Sequence, residues 1–90
     1  MNAEQEKIKI LQSAGYNPVY VWSSPPGEED LDHSHPFDTH LVILNGEIEI
    51  KFDGKGSLLK SEDEIDIPRE KVHYGKAGDK GCTYIVAEKH

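Results

Sequence analysis

This 90-residue sequence has few of the residues that build disulfides, membrane-spanning helices or basic surface patches. Its one cysteine, Cys82, cannot form an internal disulfide, and the strand-like run after it indicates a small buried side chain rather than a catalytic thiol. The longest aliphatic run, residues 41–44, is far shorter than the roughly 20 residues that a membrane-spanning helix needs. The sequence therefore predicts neither a disulfide scaffold nor a membrane protein.

Positive charge is also scarce. The chain has 10 lysines and arginines against 17 aspartates and glutamates, a formal net charge of −7, and its basic residues are scattered. Nucleic acids require a clustered basic surface, and an anionic membrane surface would repel this chain. Residues 1–6 lack the basic and apolar regions of a signal peptide, so we predict a cytoplasmic protein without nucleic-acid or membrane partners.

One short helix is expected, at residues 3–14. Asn2 can cap its first turn, with Gln5 three residues later as in a capping box, and apolar residues then recur at helical spacing. A chain of 90 residues makes one domain. We assign residues 1–17 to the helix and its lead-in, and residues 18–90 to a β-domain.

The rest of the chain predicts about seven or eight short strands separated by turns. The Asn45-Gly46 pair predicts a type I′ hairpin turn between two of them, and Gly75, Gly78 and Gly81 predict the last connection. Many short strands with a single helix at one end are typical of an antiparallel sandwich or barrel, and periodicity alone does not choose between these. The clearest strands are expected at residues 18–22, 39–44, 47–52, 57–60, 64–67, 72–74 and 82–88.

Three of the histidines are the residues of this sequence that most clearly indicate a functional site. His33 and His35 are one residue apart, so on an extended segment both side chains point to the same side. His73, from a later strand-like segment, would complete a cluster of three imidazoles. Neutral imidazoles bind late first-row ions well, and three of them leave coordination positions open for water or a small molecule. The sequence therefore predicts a site for a divalent metal ion, with Fe, Ni, Mn, Zn and Cu as candidates.

The spacing around these histidines resembles the first motif of the cupin superfamily, G-x5-H-x-H-x3-4-E-x6-G. Gly27, His33, His35 and Gly46 occupy its glycine and histidine positions, whereas Thr39 stands where the motif has glutamate. In cupins those histidines and the glutamate, with a further histidine, bind a divalent metal inside the barrel. The resemblance is to the small single-domain cupins of prokaryotes.

The second cupin motif, G-x5-P-x-G-x2-H-x3-N, is matched more loosely. Pro68 and His73 fall at its proline and histidine, while Glu62, Glu70 and Ala77 replace its two glycines and its asparagine. Together the motifs imply an all-β fold, an antiparallel double-stranded β-helix (the jelly-roll or cupin barrel) behind one short N-terminal helix. They also imply that the three histidines are metal ligands.

A fourth ligand is less clear, because a threonine hydroxyl at Thr39 binds a divalent ion poorly. Counting back from Gly46 along an unbulged strand places Thr39 and Leu41 on one face and His40 on the other. Only a β-bulge would turn His40 inward. Asp38 is a second candidate if the preceding turn directs it at the metal. Thr39, Asp38 and His40 are therefore possible fourth ligands or pocket residues.

Three functions remain open. A metal-dependent enzyme, dioxygenase- or isomerase-like, would act on a small molecule, and this is the preferred hypothesis. Asp38 and His40 are its only candidates for an acid or base, and no catalytic residue is assigned. A binding or sensing cupin would hold a small ligand without turnover. A dimeric scaffold would keep its histidines without a metal. The pocket is expected to be mainly apolar, lined by Thr39, Leu41, Ile48, Ile50 and Ile65.

The surroundings of the pocket give two further expectations. A small sandwich has sheet edges to cover, and Tyr20, Trp22 and the helix form a candidate dimer face, so a homodimer is expected. The acidic run at residues 28–32 is expected to be a solvated loop, or alternatively a segment whose field draws cations toward the barrel mouth.

Overall fold

The computed structural model describes residues 2–90, which form one helix followed by six strands. All the strand pairs are antiparallel, so the predicted all-β fold with one short N-terminal helix is confirmed. The division of the chain at residue 17 stays a prediction. The elements are α1 (Ala3–Ser13), β1 (Val19–Ser24), β2 (Glu29–His33), β3 (Asp38–Phe52), β4 (Lys55–Lys60), β5 (Glu64–Ile67) and β6 (His73–Lys89).

Helix α1 begins as its sequence predicts. The Asn2 Oδ1 atom accepts a hydrogen bond from the backbone N–H of Gln5, with 2.8 Å between the heavy atoms. This bond satisfies one of the backbone donors that the first turn leaves without a partner. The helix buries Leu11 against Val42, Ile85 and Ala87, and so covers the outer face of part of the sheet. Within residues 2–90 no helix has the length and apolar character that crossing a membrane requires.

Two long strands, β3 and β6, run through both halves of the barrel. The first half of β3 pairs with β5 and with the end of β6, which in turn pairs with β1. The second half of β3 pairs with β4 and with the start of β6, which in turn pairs with β2. Side chains from both halves meet in one core cluster, including Leu41 and Ile43 from the first and Ile48 and Ile50 from the second. The halves therefore face each other around a shared interior.

The predicted hairpin turn at Asn45-Gly46 is wrong. Strand β3 continues through this pair, and register shifts on both sides of it mark a bulge where the strand passes from one half of the barrel to the other. Gly46 has a φ of +80°, and a Cβ there would overlap the carbonyl oxygen of Gly81. The positive φ that glycine allows serves a bulge here rather than a hairpin.

The predicted connection at Gly75, Gly78 and Gly81 is also wrong, because all three lie within the continuous strand β6. These glycines allow neighbouring segments of the same chain to approach closely. A Cβ at Gly78 would lie 2.8 Å from Cγ of Glu47, and one at Gly81 would lie 2.7 Å from the carbonyl oxygen of Ser24. Glycine inside a strand often marks such an approach rather than a turn.

Strand β1 has a free edge among the described strands, since it pairs only with β6. Its side chains are unusually exposed for apolar residues: Tyr20 and Val21 are each 40% exposed and Trp22 is 51% exposed. Such an edge is a natural place for strand pairing with another chain. Homodimerisation stays a prediction.

Candidate metal centre

Three imidazoles meet inside the barrel. His33, the last residue of β2, lies directly opposite His73 on β6, and His35 follows two residues later. The ring centroids are 4.2 Å apart for His33 and His73, 4.9 Å for His33 and His35, and 5.2 Å for His35 and His73. One nitrogen from each ring can be chosen so that all three lie within 4.8 Å of one another. The structure thus brings together the three residues that the sequence motif selects.

Backbone carbonyls hold two of these rings in place. Nδ1 of His33 lies 2.6 Å from the carbonyl oxygen of Leu31, and Nδ1 of His73 lies 3.0 Å from that of Lys71. A carbonyl oxygen only accepts, so each Nδ1 carries the hydrogen and donates it. In the neutral ring the lone pair is then on Nε2, which is the arrangement of a metal-binding histidine oriented by an outer hydrogen bond. The donor set therefore fits a divalent ion.

The surroundings favour the neutral form of the two other imidazoles that face His33. Burial lowers the pKa of His35, and the charges of His33 and His73 lower it further. Burial also lowers the pKa of His73, against the opposing effect of the hydrogen bond to Lys71. A neutral imidazole is the form that binds metal. The ring of His35 is also stacked on Phe37, with centroids 5.0 Å apart and planes 11° apart.

A cavity of about 260 Å³ opens beside the three histidines. Its volume lies below the roughly 300–1,000 Å³ of pockets for drug-sized ligands, so it suits a small molecule. Ile65, expected in the lining, instead packs against the core, and Ile67 lines the cavity from two residues farther along the strand. The aliphatic part of the wall consists of Leu41, Ile48, Ile50, Ile67 and Val86.

The three candidates for a fourth ligand lie in different places. Thr39 lines the cavity, as the strand alternation predicts. Asp38 does not, because its carboxylate accepts a hydrogen bond from the backbone N–H of Arg69 at 2.9 Å and pairs with the guanidinium of Arg69 at 3.3 Å. His40 does not either, because its ring nitrogens lie 2.6 Å from Asp66 and 2.7 Å from Glu64 on the outer face of β3. Of the three candidates, only Thr39 therefore lines the same cavity as the histidines.

Sequence reasoning named Asp30 only as part of the acidic run and missed its position in the cavity wall, opposite Gly75. Residues 29–32 of the acidic run lie in strand β2 rather than in the expected loop, although acidic residues have low strand propensity. Regular alternation back from His33 would place Leu31 inside and Asp30 outside. A register shift between Asp30 and His33 reverses this, and Leu31 is 73% exposed. No local feature of the sequence predicts that register shift.

Two tyrosines and a tryptophan complete the polar and aromatic part of the wall. The Tyr84 hydroxyl lies 3.1 Å from Oγ of Ser24, and the Tyr20 hydroxyl donates to Glu88 at 3.2 Å. Trp22, expected in the core or a pocket wall, lines the cavity while half exposed at the barrel surface. The two tyrosine hydroxyls thus have protein partners.

Comparison with known proteins gives one kind of match. No protein-family model and no curated protein matches the sequence. Among solved structures, a cupin-like protein from Thermotoga maritima is 29% identical, with a TM-score of 0.72 over 79% of this chain and 55% of that one. A cupin superfamily protein from Desulfitobacterium hafniense is 27% identical, with a TM-score of 0.70 over 80% of this chain and 66% of that one. The chain thus spans between about half and two thirds of these two structures.

An enzyme is among the similar structures. The DMSP lyase DddQ from Ruegeria pomeroyi is 26% identical, with a TM-score of 0.74 over 80% of this chain and 37% of that one. The double-stranded β-helix, the placement of the histidines and these neighbours together identify the class of protein. The chain is a small domain of the cupin superfamily.

On the outer face of the barrel, His40 joins three elements. It lies between the carboxylates of Glu64 and Asp66 on β5, and Glu64 also accepts a hydrogen bond from Nζ of Lys7 on α1 at 2.8 Å. Burial alone would lower the pKa of His40, but the hydrogen bonds to Asp66 and Glu64 outweigh it and raise that pKa. The fold therefore favours the protonated ring.

The contacts of His40 with Glu64 and Asp66 predict a pH-dependent contribution to the free energy of unfolding. Because the folded pKa is raised, the contribution is complete below the ordinary value of about 6.5 and is lost as the pH rises through the folded pKa. We expect His40→Ala to lower the free energy of unfolding by about 1.5–3 kcal/mol at about pH 5.5, and by less at about pH 9. Urea denaturation at both pH values measures this. His90→Ala, at the exposed C-terminus, is the control, and a loss that grows with pH would contradict the assignment.

Proposed function

We propose that this chain is a metal-binding cupin that holds a divalent ion with His33, His35 and His73. The observation that carries the proposal is the convergence of three imidazoles on one end of a cavity, two of them with Nδ1 fixed by backbone carbonyls. Three neutral ligands fit an open centre rather than a closed four-ligand structural site. When bound, such an ion supplies Lewis-acid chemistry or a more acidic bound water.

We further propose that the chain is an enzyme of the dioxygenase or isomerase type that acts on a small molecule in the cavity. Proton transfer, as in an isomerase, needs a group that takes up the proton, and Asp30 is the one carboxylate that lines the cavity among residues 2–90. Within that part of the chain its carboxylate has no hydrogen-bond or ion-pair partner. Asp30 is therefore available to accept a proton from a bound molecule and return it.

Replacing this carboxylate tests the enzymatic proposal. Wild-type protein loaded with Fe(II), Mn(II), Ni(II) or Zn(II) would be screened with small-molecule libraries by oxygen consumption and by NMR of the products. For any molecule turned over, we expect Asp30→Asn to keep the metal content and to lower kcat by about 100-fold or more, since general acid–base catalysis contributes about that much. The amide keeps the size of the side chain but cannot take up the proton.

Asp32→Asn is the matched control, because Asp32 lies on the same strand but lines a separate surface depression rather than the cavity. It should leave turnover unchanged. Unchanged turnover in Asp30→Asn would remove Asp30 from the mechanism. Absence of turnover for every molecule and metal would overturn the enzymatic proposal.

The alternative is a cupin that binds or senses a small molecule without chemistry. The mainly apolar lining of the cavity favours this alternative, because it leaves few groups for acid–base chemistry: Asp30 is the only cavity-lining carboxylate in the described part of the chain. Such a protein would melt at a higher temperature with its ligand, since binding to the native state alone stabilises it. A rise in Tm without product formation would select this alternative over the enzyme.

A further inference from the structure

Thr39 carries a polar atom that the fold itself does not satisfy. Its Oγ1 is buried and has no hydrogen-bond partner, and no other described residue that is buried or half-buried has such a side-chain atom. The residue is 7% exposed and lines the cavity beside the histidines. Leu41, the next inward-facing residue of β3, is aliphatic. A valine would fill the same volume at Thr39 without burying a hydroxyl.

A buried hydroxyl without a partner costs stability, and folded proteins rarely contain one without a reason. Thr39 lies in a cavity wall, and a turn about its Cα–Cβ bond would bring the buried hydroxyl to the cavity, where a bound molecule can supply the missing partner. Its neighbours on the adjacent strands, Ile67 and Glu88 in register, do not. The orphaned hydroxyl therefore points to a ligand group at the histidine end of the cavity.

The charges around the site indicate which group this is. Three neutral imidazoles add no negative charge, and Thr39 adds none where the cupin motif has a glutamate. A divalent ion held there would keep its two positive charges and attract an anion. Asp30, in the cavity wall, repels a carboxylate from its own part of the cavity. The ion thus favours an anionic ligand group, and Asp30 disfavours such a group in its own vicinity.

We propose that Thr39 selects the ligand of this site: its hydroxyl donates a hydrogen bond to a carboxylate oxygen of a small organic acid. The inference rests on the metal centre proposed above. The aliphatic wall, which includes Leu41 two residues along β3 and Ile67 opposite Thr39 on β5, takes the apolar part of the acid. Thr39 is in this account a specificity-determining residue and not a metal ligand.

The metal-free protein gives the first test, which needs no ligand. Thr39→Val removes the unpaired hydroxyl and keeps the shape, so we expect Tm to rise by about 4–8 °C. Thr83→Val is the control. The Thr83 hydroxyl lies 3.1 Å from the Ser23 hydroxyl, so this substitution removes a hydroxyl that has a hydrogen-bond partner. Its Tm should stay the same or fall. A fall in Tm for Thr39→Val would mean that the hydroxyl is satisfied and would overturn the inference.

Calorimetric titration of the Zn(II)-loaded protein gives the second test. The probes are acetate, butyrate and benzoate, each compared with its neutral amide. We expect wild type and Thr39→Ser to bind at least one acid more tightly than its amide, and Thr39→Val to bind that acid about tenfold more weakly. The amides should show no such dependence on the hydroxyl.

The outcomes separate this inference from the proposed function. Equal acid affinity in wild type and Thr39→Val, or no preference of wild type for any acid over its amide, would overturn the role of Thr39 and leave the metal centre intact. Failure of wild type to take up any of Fe(II), Ni(II), Mn(II), Cu(II) and Zn(II) would overturn the metal centre, and the ligand inference with it.

Discussion

His73→Ala is expected to weaken the binding of a divalent metal by at least about 100-fold. The change removes one of three converging imidazoles, and its replacement by water leaves only the two ligands on the β2 side. Loss of an outer hydrogen bond to a ligand already costs about 10–100-fold in affinity, so loss of a ligand should cost at least the upper value. Competition titration of Zn(II) or Co(II) against a chromophoric chelator measures the affinity.

Two further variants make this prediction specific. His35→Ala should show a loss of the same order, since His35 supplies an equivalent nitrogen. His40→Ala should bind metal as wild type does, because both ring nitrogens of His40 face carboxylates on the outer surface of the barrel. Equal losses in all three variants would contradict the assignment of strand faces. Circular dichroism of each variant would show whether the fold is retained.

Gly46→Ala is expected to lower the free energy of unfolding by more than about 4 kcal/mol, out of the roughly 5–15 kcal/mol that a small domain has. Two effects add at this position. The φ of +80° is unfavourable for a side chain, and the added Cβ would overlap the carbonyl oxygen of Gly81 and lie 3.1 Å from Cα of Cys82. Both opposing atoms belong to the backbone of β6, which cannot move without disturbing the crossing of the two long strands. Urea denaturation measures the loss.

Gly54→Ala separates these two effects. Gly54 has a nearly equal φ of +74°, but a Cβ there has no atom within 4 Å. Its replacement should cost only about 1–3 kcal/mol, the usual range for a residue held in an unfavourable conformation. A similar loss for both glycines would mean that backbone conformation alone, and not the close approach of β3 and β6, makes Gly46 necessary.

The local parts of the fold could be predicted from the sequence because they depend on neighbouring residues. The cap of Asn2 on Gln5 and the strand at residues 64–67 both lie where the pattern places them. The length of β3 could not be predicted in the same way. Asn-Gly suits a hairpin turn and a bulge equally, since both use a positive φ, and only the distant Gly81 decides between them.

In the candidate site, too, some features could be predicted from the sequence and others could not. Strand alternation correctly places Thr39 inward and His40 outward, because β3 is regular between residues 38 and 43. Alternation fails for Asp30, because a register shift separates it from His33. The unpaired hydroxyl of Thr39 could not be predicted either, since hydrogen-bond satisfaction depends on every chain segment that packs around it.

The most direct test of the metal centre is elemental analysis of untagged protein purified without chelators, beside the His33→Ala/His73→Ala double variant. The account predicts a near-stoichiometric divalent metal in wild type and its loss in the double variant, because two of the three converging imidazoles are gone. Wild-type protein that contains no metal, and takes up none of Fe(II), Ni(II), Mn(II), Cu(II) and Zn(II) on reconstitution, would contradict it.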